Sequence, residues 1–163
     1  MVATIQVNKQ SIKRLLESGK EQMFLIPEYQ RPYSWTENET KTLFYDLLEF
    51  TESESKKNSE VEGTYFLGSI VSYENEEGEQ EIIDGQQRIT SLFLLLRAIY
   101  TKLISYEEKT IEQENFIRQI EPALWKQAKL TGEVDYTSVL ITSRVIDNEG
   151  NKILQNILES GIA

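Results

Sequence analysis

The run Ile82-Ile83-Asp84-Gly85-Gln86-Gln87-Arg88-Ile89-Thr90-Ser91-Leu92 constrains this chain more than any other stretch. A short apolar strand ends in Asp84. Gly85 permits a tight turn. A helix then opens with Gln, Gln, Arg and Thr in its first turn. The first N–H groups of a helix have no intrahelical partner, and the helix dipole adds positive potential there. Such a corner suits an anion. Gly85 lets the backbone approach a ligand closely, and Arg88 is a bidentate donor suited to phosphate. Gln86, Gln87 and Thr90 complete the set of candidate contacts. The plainer reading is an ordinary strand–turn–helix corner with a surface arginine, since one Gly and one Arg are weaker than a full P-loop.

What the chain lacks narrows its chemistry. It has no cysteine and no histidine. Disulfides, the usual zinc sites, a Ser-His-Asp triad and a Cys-His pair are therefore excluded. A His-dependent nuclease cannot lie within these residues. Any reaction must run on Asp, Glu, Arg, Lys, Tyr, Gln or a bound metal. With 163 residues and 39% hydrophobic side chains, the chain suits one globular domain over 1–163. No secretory h-region stands out and no apolar run reaches membrane-spanning length, so a cytoplasmic protein without membrane contact is expected.

The net charge of −10 is uneven: residues 51–84 hold 10 acidic and 2 basic side chains, a net −8. These read as two solvated acidic loops, because the ligand pattern of a calcium loop is missing. The sign disfavours non-specific DNA binding by this chain alone, though not a local basic groove.

Apolar periodicity and turn residues set the expected elements. Ile5 and Val7 mark a short strand. Asn8 or Ser11 caps a helix with Ile12, Leu15 and Leu16 on one face, ended by Gly19. Met23 to Ile26 is a strand stopped by Pro27. Thr36 and Glu39 match a capping box, opening a helix that buries Leu43, Phe44, Leu47 and Leu48 and runs to about Phe50. A polar loop covers 51–63. Thr64 to Tyr73 is a strand, and Glu81 to Asp84 returns as its hairpin partner through a turn at Gly78. Gly68 inside that strand suggests close approach by another backbone or a ligand. A nearly all-apolar helix from Gln87 to about Ser105 belongs at the centre. Pro122 kinks or splits a helix over Ile111 to Gln127. Residues 138–158 read as a terminal hairpin turning at Asp147-Asn148-Glu149-Gly150.

A second constellation lies at Pro27 to Trp35. Gln30 and Arg31 follow a strand and precede a helix, flanked by Tyr29, Tyr33 and Trp35. An Arg beside a Gln can pair a phosphate or a base edge, and Tyr33 or Trp35 can stack on a base. Alternatively the aromatics pin a loop to the core and Arg31 makes a structural ion pair. Two Gln-Arg pairs at two strand ends strengthen the first reading, because a sheet can bring strand ends together.

Taken together, Ile26-Pro27-Glu28-Tyr29-Gln30-Arg31-Pro32-Tyr33-Ser34-Trp35, the Asp46-Leu47-Leu48 helix, Tyr65-Phe66-Leu67-Gly68-Ser69-Ile70 and Ile82 to Leu96 resemble the N-terminal domain of GmrSD-type (Type IV) restriction enzymes. The resemblance covers about residues 8–105, with 136–158 matching a following hairpin. It implies an α+β fold: a ParB/sulfiredoxin-like core with a small mixed sheet packed against helices and a strand–turn–helix nucleotide site. It also implies binding, and hydrolysis, of a nucleoside triphosphate with Mg²⁺ in a restriction system against modified phage DNA. Full-length relatives carry a C-terminal His-Asn-His-type nuclease domain. Without histidine, this chain is expected to be the N-terminal part of a longer or split protein, not a nuclease on its own. Its partners are then a nuclease domain, in cis or separate, and modified DNA.

On that footing Gly85, Gln86 and Gln87 carry the phosphates, Arg88 meets the β/γ oxygens, and Gln30 and Arg31 close over them. Asp84 holds Mg²⁺ through water or orients the attacking water, which Gln86 or Gln87 positions. Asp84 and Arg88 are the candidate catalytic pair, acting by positioning and charge stabilisation. The competing reading is a non-enzymatic DNA-recognition or effector-docking module, since Gln and Arg also read adenine and guanine edges.

Overall fold

A computed structural model describes residues 9, 11–18, 23–56 and 63–161. In chain order the elements are α1 (Ile12–Ser18), β1 (Phe24–Ile26), α2 (Glu37–Ser55), β2 (Val71–Glu74), β3 (Gln80–Asp84), α3 (Gln86–Ile104), α4 (Ile111–Leu124), β4 (Trp125–Gln127), β5 (Val134–Val139), β6 (Ile141–Ser143) and α5 (Asn148–Ser160). The expected strand at Ile5–Val7, and the Asn8 cap and Gly19 stop of α1, lie outside the described residues. Ser11 does cap α1, its hydroxyl accepting from Arg14 N.

The fold is α+β around a mixed four-stranded sheet, order β2-β3-β1-β6. β1 is parallel to both β3 and β6, while β2 and β3 form an antiparallel hairpin. β4 and β5 make a separate antiparallel pair. All three β1 residues are buried, as a central strand between parallel neighbours should be. Phe24 meets Phe93 of α3 edge-to-face at 6.0 Å, tying sheet to central helix. The core continues through Ile82, Ile89, Leu140, Ile141 and Leu158.

α3 is the central helix, with nine buried residues including the polar Gln86, Gln87, Thr90, Ser91 and Arg97. Arg97 is only 4% exposed. Its guanidinium donates to the carbonyls of Leu158 and Glu159 at the C-terminal end of α5, and to Thr101 Oγ1. It also lies over the rings of Tyr100 and Trp125. The negative end of the α5 dipole thus takes the role a carboxylate would have. Burial holds the Arg97 pKa below its ordinary value.

Four expectations need correction. α2 has the predicted capping box at Thr36 and Glu39, but it continues to Ser55 and buries no residue at all. Phe44 and Leu48 are exposed, and Leu43 and Leu47 only half-buried. The 51–63 loop is therefore helical in its first five residues, and 57–62 lie outside the described residues. Residues 64–70 are not strand; pairing begins at Val71. In place of the terminal hairpin, residues 138–143 hold the end of β5 and then β6, in different sheets, and the second arm is a helix: Ile153, Leu154, Ile157 and Leu158 recur with helical period. Asp147 is the N-cap of α5, accepting from Gly150 N at 3.0 Å. Pro122 ends α4 only two residues later, and Trp125 to Gln127 turn into β4.

Candidate functional site

The two Gln-Arg motifs are joined by their glutamines. Gln86 Nε2 donates to Arg31 O at 2.9 Å, and Gln87 Nε2 to Pro32 O at 3.1 Å. Gln87 Oε1 accepts from Ser34 N at 2.8 Å. Gln30 Nε2 returns the link, donating to Ile83 O at the end of β3 at 2.8 Å. Side-chain amides suit this work because each carries both a donor and an acceptor. Ser91 Oγ donates to Gln87 O, so its 2.7 Å bond with Tyr33 leaves the phenol as donor. The 30–34 loop is thus fixed to the first turns of α3 by four side chains, Gln86, Gln87, Ser91 and Tyr33, and to the end of β3 by a fifth, Gln30. Nearby, Tyr29 donates to Glu81, and the loss of hydration with that bond pushes its phenol up to about 12.

Gly85 sits at φ 87° and caps α3 without a side-chain hydrogen bond. Thr36, Thr110 and Asp147 supply such a bond at α2, α4 and α5. A Cβ at Gly85 would lie 3.0 Å from Ile70 Cγ1 and 3.1 Å from Ser69 O, so a side chain there is strained by the backbone and must displace its neighbours by a few tenths of an ångström.

A cleft of about 250 Å³ opens beside this corner, between α3 and α5. Arg31, Tyr33, Gln86, Gln87 and Thr90 line it from one side, and Ile153 and Leu154 belong to its α5 wall. Gln86 is 6% exposed, and its Oε1 has no hydrogen-bond partner. Its amide orientation is fixed, because turning it over would set oxygen against Arg31 O. An orphaned buried acceptor costs about 1–3 kcal/mol.

The structure does not bring Arg88 into this cleft. Its Nη1 donates to Ser69 O at 2.8 Å, and the guanidinium occupies the space that a Cβ on Gly68 would enter. At about 100° per residue, position 88 leaves α3 on another side from 86, 90 and 94. This accounts for the glycine at 68: the close neighbour is the Arg88 guanidinium. Asp84 is exposed at the end of β3, and Trp35 is half-buried and outside the cleft lining. Asp147 and the α5 wall are what sequence reasoning missed. The Asx cap of α5 has the composition of a hairpin turn.

A family model for the GmrSD restriction endonuclease N-terminal domain matches residues 12–160. The chain belongs to this family. The match takes in both motifs and extends through α5, so the cleft is built wholly within the GmrSD N-terminal domain. No curated protein matches the chain. Among the described residues, no group of three or more acidic side chains is placed to hold a metal ion. None of their helices is long and apolar enough to cross a membrane.

Proposed function

We propose that this GmrSD N-terminal domain binds a nucleoside triphosphate and hydrolyses it, regulating a nuclease that acts on modified phage DNA. We further propose that its sheet and α3 corner correspond to a ParB/sulfiredoxin-like core. The observation that carries the reading is the α3 N-terminus: uncapped by any side chain and fixed against the Arg31 loop at the mouth of a cleft. Free N–H groups and the helix dipole there favour phosphate oxygens, and Arg31 adds a cation.

On this reading Asp84, exposed beside Gly85, orients a water or meets a cation through water. A single carboxylate does not make a resident metal site, so the residues fit a Mg²⁺ that arrives on the triphosphate. Magnesium would there neutralise charge on the transferring phosphoryl group. Arg88 can reach phosphate only by releasing Ser69 O, which makes its role conditional on movement of the 68–70 segment. The cleft is below the usual size for enclosing a whole ligand of this kind, so part of the nucleotide lies outside it.

A second reading is a docking or DNA-recognition module without turnover. It is favoured by the bond that already occupies Arg88. Calorimetric titration with GTP, ATP, CTP and UTP in Mg²⁺, followed by phosphate-release assays, separates the two. Binding with turnover supports the first reading. DNA binding indifferent to nucleotide supports the second.

A further inference from the structure

A second groove, of about 430 Å³, lies between α2 and α3. Thr40, Phe44 and Tyr45 of α2 form one wall, and Ser91, Leu94 and Leu95 of α3 the other. Leu48 stands one turn beyond Phe44 on α2, and Ile99 one turn beyond Leu95 on α3. Phe44, Tyr45, Leu48 and Ile99 are all exposed, Tyr45 to 59%. The Phe44 and Tyr45 rings pack edge-to-face at 5.6 Å, so each holds the other on this face. Single exposed apolar side chains are ordinary, but a continuous row along two neighbouring helices marks an interaction surface.

The charge around the row selects the partner. α2 carries six carboxylates, Glu37, Glu39, Asp46, Glu49, Glu52 and Glu54, against one cation, Lys41, which Glu37 pairs at 2.6 Å. Glu39 is engaged at the cap and Asp46 by Tyr65. Glu49 and Glu52 continue the Tyr45 and Leu48 rows by one turn. Both are exposed, and neither forms an ion pair among the described residues. A second copy docked here would set acid against acid. A nucleic-acid backbone or an anionic lipid surface is repelled in the same way. What fits is a cationic chain with an apolar stripe. A groove between two helices takes that stripe best from a third helix, through anchors at i and i+4.

We propose that the α2–α3 groove docks a basic amphipathic helix of a partner protein. Its apolar stripe lies against Phe44, Tyr45, Leu48, Leu95 and Ile99, and its Lys or Arg side chains meet Glu49 and Glu52. This accounts for a capped helix of 19 residues that buries none of them in the chain's own core. Tyr33 lines this groove and the α3–α5 cleft alike, so the docked helix borders the loop that carries Arg31.

The test uses three synthetic peptides of about five helical turns. One has Leu at helical spacing and Lys elsewhere. The second has the same composition with the spacing scrambled. The third has Glu in place of Lys. Each is titrated into the protein and followed by amide NMR. The Leu/Lys helix is expected to shift Phe44, Tyr45, Leu48 and Leu95, and to bind at least about tenfold tighter than the scrambled peptide. The Leu/Glu peptide should not bind. Phe44→Ser with Leu48→Ser should weaken the Leu/Lys helix at least about tenfold, with an unchanged melt because both side chains are exposed. Glu49→Gln with Glu52→Gln, which leaves the apolar row intact, should weaken it about threefold and reduce its salt dependence.

Equal binding by the scrambled peptide would overturn the assignment, leaving only charge attraction. Binding of the Leu/Glu peptide would overturn the choice of a basic partner. Shifts on another face, no binding at millimolar peptide, or full affinity in both variants would contradict the groove itself. Concentration-dependent shifts at Phe44 and Leu48 in the protein alone would show that a second copy covers the face, and would also overturn it.

Discussion

Arg31 and Arg88 begin as equivalent residues in the sequence, each following a glutamine near a strand end. The fold makes them different. Arg31 is exposed at a cleft mouth, its backbone carbonyl held by Gln86. Arg88 is spent on Ser69 O. Arg31→Ala should weaken triphosphate binding by about 1.5–3 kcal/mol, the range for a charge-assisted hydrogen bond, with little change in melting temperature. Arg88→Ala should weaken binding and also loosen the 68–70 segment, visible as faster amide exchange there. Asp84→Asn should reduce phosphate release far more than affinity. Gly85→Ala carries a backbone cost instead: with φ 87° and Ser69 O at 3.1 Å from a Cβ, about 1–2 kcal/mol of stability should be lost in urea titration.

At the scale of elements, legibility followed how local the signal was. The Thr36 capping box and the Gly85 turn were readable because each rests on residues within one turn of one another, and the α3 span because no Gly or Pro interrupts its 19 residues. α5 was missed because Asp147-Asn148-Glu149-Gly150 has hairpin-turn composition, while the decisive evidence is the spacing of Ile153, Leu154, Ile157 and Leu158. The burial of α2 was misjudged because amphipathicity says which face is apolar, not whether a neighbour arrives to cover it. The cleft itself could not be read, since it needs α5 beside α3, and that contact depends on Arg97 reaching the α5 carbonyls. Arg97→Met keeps the volume and removes those bonds; about 3 kcal/mol should be lost in urea titration, with α5 amides exchanging first. Gln87→Ala should cost about 1–3 kcal/mol and free the 32–34 loop, seen as loss of protection at Ser34 N.

For the molecule as a whole, the missing histidine predicts a flat stability plateau through neutral pH. Its limits follow from the shifted groups. Hydrogen bonds from Thr36 hold Glu39 below its ordinary 4.5, and Thr137 and Ser138 hold Asp135 below 3.8. The stability they add is present above those ordinary values and is lost as pH falls through the lowered folded values. Tyr29 is raised, so its contribution is complete below pH 10 and is lost as pH climbs from 10 towards 12. Thermal melts across pH should show both limbs, and Tyr29→Phe should flatten part of the alkaline one. The central claim is that the glutamine-joined motifs form one nucleotide site, and amide chemical-shift mapping with each Mg²⁺–triphosphate tests it most directly. The account predicts the largest shifts at Arg31, Gly85, Gln86 and Gln87 for at least one nucleotide. Shifts confined to another face, or none at millimolar nucleotide with a folded protein, would contradict it.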